Sequence, residues 1–196
     1  MRKITLMRHG KPTFELKGKV RSREIGEIIS HYDASGITGK PPEESKLKAL
    51  ACNTAVCSDL TRSIESAKIL GFEHIHLSDP IFREVATPHF KGGSFVLPVS
   101  AWGVILRCLS IFGFSRNGES LSIAKKRAKE AASVLIDIAH IHKMVLLVGH
   151  GFMNYFIAKE LLSRNWVGPS KPGSGYWEYG IYQYNATGNS HVFVNE

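Results

Sequence analysis

The run Ile4-Thr5-Leu6-Met7-Arg8-His9-Gly10 decides the reading of this chain: a short, largely apolar stretch stops abruptly at an arginine, a histidine and a glycine. Met144-Val145-Leu146-Leu147-Val148 does the same, stopping at Gly149-His150-Gly151. Short apolar runs closed by glycine read as buried parallel strands. A third, weaker run, Thr54-Ala55-Val56-Cys57, ends at Ser58-Asp59 and leads into Leu60 to Leu70, where Leu60, Ile64, Ala67 and Leu70 recur at helical spacing before Gly71. Glycine at that place is a helix stop. Working outward, Phe152 to Leu162 is helical, with Phe152, Phe156 and Leu161 turned to the sheet, and Ser120 to Ile141 is a longer helix after Asn117-Gly118-Glu119. His76-Leu77-Ser78 predicts a short strand, and the alternation from Tyr176 to Tyr184 a late edge strand. Strands alternating with helices predict an α/β fold, a three-layer sandwich with a mostly parallel central sheet and helices on both faces.

Ligands of such sheets bind beyond the carboxyl ends of the strands, where loops and helix N-termini gather. Arg8 and His9 leave the first strand, Arg62 lies in the first turn of the helix after the second, and His150 leaves a later strand. Taken singly, each has an ordinary explanation, such as pairing of Arg62 with Asp59 or Glu65. Together, two histidines and two arginines at strand exits suit a phosphate monoester. Such an ester carries about two negative charges near neutral pH. The planar, permanently charged guanidinium is suited to clamping its oxygens, which assigns phosphate binding to Arg8 and Arg62. An unprotonated imidazole whose other nitrogen donates to a backbone carbonyl can attack phosphorus, and His9 is the candidate nucleophile. His150, in protonated form, would stabilise the equatorial oxygens. Forming and breaking a phosphohistidine needs one more acid/base group. Glu84, in Phe82-Arg83-Glu84, is the leading candidate, with Asp79 and His89 behind it. The alternative for Glu84 is a surface ion pair with Arg83 or Lys91.

At these residues the chain resembles the histidine phosphatase superfamily, the clan that includes cofactor-dependent phosphoglycerate mutases and fructose-2,6-bisphosphatases. Leu6-Met7-Arg8-His9-Gly10 looks like its RHG hallmark, Ser58-Asp59-Leu60-Thr61-Arg62-Ser63 with Ser66-Ala67 resembles its second-arginine stretch, Gly118-Glu119-Ser120-Leu121 followed by Arg127 looks like its GES segment, and Val148-Gly149-His150-Gly151 is similar to its second-histidine motif. The resemblance implies an α/β sandwich, phosphorylation of His9 during turnover, binding of the phosphoryl group by Arg8, His9, Arg62 and His150, and no metal or other cofactor. Glu84 matches the family's acid by position alone, because Val85-Ala86-Thr87-Pro88 replaces the usual sequence after it. Lys11-Pro12 likewise departs from the pattern after RHG, so contacts distal to the phosphate are not carried over.

The 196 residues suit a single domain spanning 1–196, with an insertion or cap at about 85–117. Within that insertion the segment 95–114 approaches membrane-span length, but Pro98, Gly103 and Arg107 interrupt it. It reads as an apolar helical insertion that covers the site or offers an interface for a homodimer; Trp102, Ile105, Leu106 and Phe112 hint at a substrate with a hydrophobic portion. Lys and Arg exceed Asp and Glu by 25 to 17, a net charge of +8 that can steer anionic ligands. These cations are scattered rather than set in one aromatic-interleaved block, so a small phosphorylated substrate is expected and nucleic acid is not. Cys52, Cys57 and Cys108 form no CxxC pair, and no signal-peptide core follows Met1-Arg2-Lys3, so a cytoplasmic location without a membrane span is expected. The pairs His74/His76 and His140/His142 lack neighbouring Cys or paired carboxylates and are read as exposed rather than metal-binding. Lys171-Pro172-Gly173-Ser174-Gly175 reads as a turn. Three functions follow in order: phosphomonoester hydrolysis, mutase-like phosphotransfer, and a non-catalytic phosphate-binding scaffold.

Overall fold

A computed structural model describes residues 1–185. In chain order the strands are β1 (Arg2–Arg8), β2 (Lys11–Pro12), β3 (Lys19–Arg21), β4 (Ile37–Thr38), β5 (Thr54–Cys57), β6 (Leu77–Ser78), β7 (Val96–Pro98), β8 (Met144–Gly149) and β9 (Tyr179–Tyr184). The helices are α1 (Ile25–Ala34), α2 (Glu43–Leu50), α3 (Thr61–Ile69), α4 (Val99–Ile111), α5 (Leu121–His142) and α6 (Gly151–Ser163). The central sheet runs β6-β5-β8-β1-β9. Its first four strands are parallel and the edge strand β9 is antiparallel to β1. Register pairs Arg8 with Gly149, so the two histidines that follow these residues leave the sheet side by side.

The period of two along each strand divides the core between the faces. Ile4, Leu6, Val145 and Leu147 face one layer, where Ala124, Ala128, Ala131, Ala132 and Ala139 of α5 and Met153 and Ile157 of α6 are buried. Alanines at that contact let α5 approach the sheet closely. Met7, Leu146 and Val148 face the other layer with Ala49 of α2 and Ala67 of α3. The expected three-layer α/β sandwich is the observed one.

Two details correct the sequence reading. Phe152 does not face the sheet; it is exposed, and Met153, Asn154, Ile157, Ala158 and Leu161 form the buried stripe of α6. Helix α6 is apolar on much of its circumference, so spacing alone did not choose its inner face. Helices α1 and α2 were not anticipated, although Ile25, Ile28, Ile29 and Tyr32 carry the helical i, i+3, i+4, i+7 spacing.

Within the segment 85–117, β7 pairs with β3 and leads into α4. Val99, Trp102 and Leu106 of α4 pack on Ile25 of α1 as a small core of their own. The Trp102 indole donates to the Val20 carbonyl, while Ile105 and Phe112 face outward. Among the described residues no helix is long and apolar enough to cross a membrane.

Candidate active site

Each strand exit delivers its residue to one cavity of about 800 Å3, lined among others by Arg8, His9, Arg62, Glu84 and His150. His9 is 2% exposed and its Nδ1 lies 2.7 Å from the Gly10 carbonyl oxygen, the backbone partner expected of a tautomer-fixed imidazole. Nδ1 therefore carries the proton and Nε2 keeps its lone pair. The Gly10 amide donates to Ser66 Oγ at 2.8 Å, and Ser66 Oγ donates to the Arg62 carbonyl at 2.6 Å, which ties the loop after β1 to α3. A side chain at position 10 would collide with the Trp177 indole, so glycine is required by close approach. The rings of His9 and His150 lie 4.9 Å apart between centroids.

Arg62 is 1% exposed and does not pair with Asp59 or Glu65. Its guanidinium donates to the carbonyls of Tyr32 and Asp33 at 3.1 and 3.2 Å and to Asp33 Oδ1 at 3.0 Å, and it lies 4.8 Å from the Tyr32 ring centroid. The partially negative C-terminal end of α1 thus holds the cation. Asp59 instead pairs with Arg83, and Glu65 accepts from the Ile37 amide. Arg8 stacks over Tyr176 at 4.5 Å and donates to the Ser174 carbonyl. The 171–175 turn therefore forms a wall of the cavity, fixed by Glu178 accepting from the Ser174 and Gly175 amides at 2.7 Å each.

His150 Nε2 lies 2.7 Å from Ser58 Oγ, and its Nδ1 has no partner. Among the described residues, the buried side-chain nitrogens without a hydrogen-bond partner are Arg8 Nε, Arg62 Nε and His150 Nδ1, all on residues that line this cavity. Buried donors are nearly always satisfied, so three orphans at one place mark a site shaped for an anion.

Glu84 does not pair with Arg83 or Lys91. Its carboxylate accepts from the amides of Val85, Phe152 and Met153 at 2.9, 3.2 and 3.1 Å, which sets it on the N-terminus of α6 beside His150. Arg127 holds the segment before Glu84 by donating to the Ile81 and Arg83 carbonyls, and is itself gripped by Glu119 at 2.6 Å. Neither runner-up lines this cavity: Asp79 accepts from the Ile81 amide to cap a single helical turn, and His89 lies near the Thr87 carbonyl, lining a separate surface depression. The rings of His76 and His142 meet edge to face at 4.7 Å, and no cluster of metal-ligating side chains occurs among the described residues.

Burial depresses both histidines, with Arg62 and Arg8 adding to the effect. His9 is lowered to about 3 and His150 falls well below the usual 6.5, so both are neutral when the site holds no anion. In the unfolded chain the same imidazoles titrate near 6.5, so below that pH the unfolded state binds more protons than the folded one. Stability is then fully present above pH 6.5 and is lost as pH falls toward 3, with His9 alone contributing a slope of about 1.4 kcal/mol per pH unit. Urea unfolding followed between pH 7 and 4 should show this slope reduced by about one proton in His9→Asn. An unchanged slope would mean that His9 is solvated.

The model of the histidine phosphatase superfamily (branch 1) matches residues 4–196. The chain belongs to this superfamily. None of the curated proteins matches it. Among solved structures, this histidine phosphatase superfamily member is similar to Bacillus stearothermophilus YhfR, with a TM-score of 0.62 and 17% identity over 94% of this chain and 92% of that one. It is also similar to an Entamoeba histolytica phosphoserine phosphatase, with a TM-score of 0.54 and 22% identity over 83% and 81% of the two chains. A mycobacterial glucosyl-3-phosphoglycerate phosphatase gives a TM-score of 0.52 at 18% identity over 83% and 80%. At such identities the likeness is one of fold.

Proposed function

We propose that this protein hydrolyses phosphate monoesters without a metal, through a phosphohistidine on His9. The observation that carries the reading is the set of three unpartnered buried nitrogens, on Arg8, Arg62 and His150, around an imidazole whose Nδ1 is engaged and whose Nε2 is free. The two arginines and the imidazole donor supply fixed positive potential where charge accumulates in the transition state. His150 does not need to be charged beforehand: in the tautomer whose Nε2 accepts a hydroxyl proton from the Ser58–Ser63 pair, the ring proton sits on Nδ1 and donates to a phosphoryl oxygen.

In the first step Nε2 of His9 bonds to phosphorus, the bond from phosphorus to the ester oxygen breaks, and that oxygen takes a proton from Glu84. In the second, Glu84 removes a proton from water, the water oxygen bonds to phosphorus, and the bond from phosphorus to nitrogen breaks. Two fold relatives are a glucosyl-3-phosphoglycerate phosphatase and a phosphoserine phosphatase, which agrees with hydrolysis over phosphotransfer. An aryl phosphate offered to the purified protein should be turned over equally well with and without a chelator. No turnover, or turnover lost to the chelator, defeats the proposal.

A further inference from the structure

The cavity is far larger than a phosphoryl group. Its volume of about 800 Å3 falls in the upper part of the roughly 300–1,000 Å3 range of sites that hold a whole organic ligand. Beyond the phosphate end, two helices form its walls. Ile28 and Ile29 of α1 and Gly103 of α4 line it, above the small core in which Ile25 packs with Val99 and Leu106. Helix α1 organises both ends: its apolar stripe begins at Ile25, and one further step along the same stripe Tyr32 and Asp33 grip Arg62. At 1.5 Å per residue the stripe runs roughly 10 Å away from the phosphate clamp.

Apart from the exposed Lys171, the charged side chains on the walls beyond the phosphate end are already engaged. Arg83 is held by Asp59, Glu178 by the Ser174 and Gly175 amides, and Arg107 donates to the Val85 carbonyl while lying 4.4 Å from the centroid of the Phe152 ring. A sugar or amino-acid phosphate placed here would bury hydroxyl or ammonium groups against isoleucine and leucine, and unpaired polar groups in such surroundings are costly. An alkyl or prenyl group would not be.

Resting on the hydrolase reading, we propose that the substrate is an amphiphilic phosphate monoester: its phosphate sits among Arg8, His9, Arg62 and His150, and its apolar chain lies along the cavity walls that α1 and α4 supply. Gly103 provides a test that spares the core. It is exposed on α4 and lines the cavity, and a Cβ there meets nothing within 4 Å, so a large side chain narrows the chamber without displacing a neighbour.

The experiment is a series of n-alkyl phosphates from ethyl to octyl, kept below their aggregation concentrations, beside glucose 6-phosphate, phosphoserine and a phosphotyrosine peptide. For the wild-type protein, kcat/KM should rise roughly three- to fourfold per added methylene until the chamber is filled. Gly103→Trp should lower octyl phosphate turnover by about tenfold or more and leave ethyl phosphate unchanged. A flat chain-length series, or a polar phosphate or the peptide preferred over octyl phosphate, overturns the inference. If no ester is turned over at all, the hydrolase reading fails separately, and calorimetric binding of the same series still decides the chamber: affinity independent of chain length rejects it.

Discussion

Replacing His9 by alanine is expected to lower kcat on every phosphate ester by about 10⁴- to 10⁶-fold, the scale seen when a covalent nucleophile is removed. The side chain is 2% exposed, its tautomer is set by the Gly10 carbonyl, and no described neighbour offers a second nucleophile in the same position: the His150 ring, 4.9 Å away between centroids, has its Nε2 against Ser58, and Tyr176 lies 5.8 Å away. Binding should respond differently. Arg8, Arg62 and His150 remain, and the loss of a small buried ring leaves space for water beside the anion, so inorganic phosphate should still protect the variant against heat. The decisive measurement is rapid-quench labelling with a 32P-labelled ester. The wild-type protein should yield an acid-labile, base-stable phosphoprotein and His9→Ala none. Labelled His9→Ala protein would place the nucleophile elsewhere and remove the basis of the proposed mechanism.

Much of the sheet and half of the site were legible because they obey short-range rules. Apolar runs ended by glycine identified β1 and β8, and their parallel pairing then placed His9 beside His150 without further information. Arg62 followed from its place in the first turn of α3. What escaped depended on partners distant in sequence. The Arg62 counter-charge, Asp33, lies 29 residues upstream on a helix whose apolar stripe is only four residues long and serves the cavity rather than the main core. The wall at 171–175 has the composition of any turn; it becomes functional only because Arg8, 166 residues away, donates to Ser174. Phe152 was misassigned because spacing on an apolar helix does not say which residues meet the sheet, and the ring instead packs under Arg107 of α4.

Glu84 joins these strands of the argument, because its surroundings in the chain gave no sign of its role and its place in the fold does. The segment carrying it is held on one side by Arg127, itself fixed by Glu119 of the Gly118-Glu119-Ser120 stretch, and on the other by the first amides of α6. The carboxylate therefore sits where the strand carrying His150 turns into a helix, in the cavity that holds His9. Two roles fit this position: a proton donor to the leaving oxygen, and a cap that merely fixes α6. Glu84→Gln separates them, because the amide oxygen still accepts from the Val85 and Met153 amides, giving up only the 3.2 Å bond from the Phe152 amide, while the side chain no longer exchanges a proton. If Glu84 is the donor, the variant should lose about 10²- to 10⁴-fold in kcat on alkyl phosphates, whose leaving alkoxide must be protonated, and far less on a nitrophenyl phosphate, whose leaving group departs as a stable anion. A cap alone predicts equal losses on both esters together with a lower Tm. Equal losses at unchanged Tm would also reject the donor role, since only the dependence on the leaving group reports the proton.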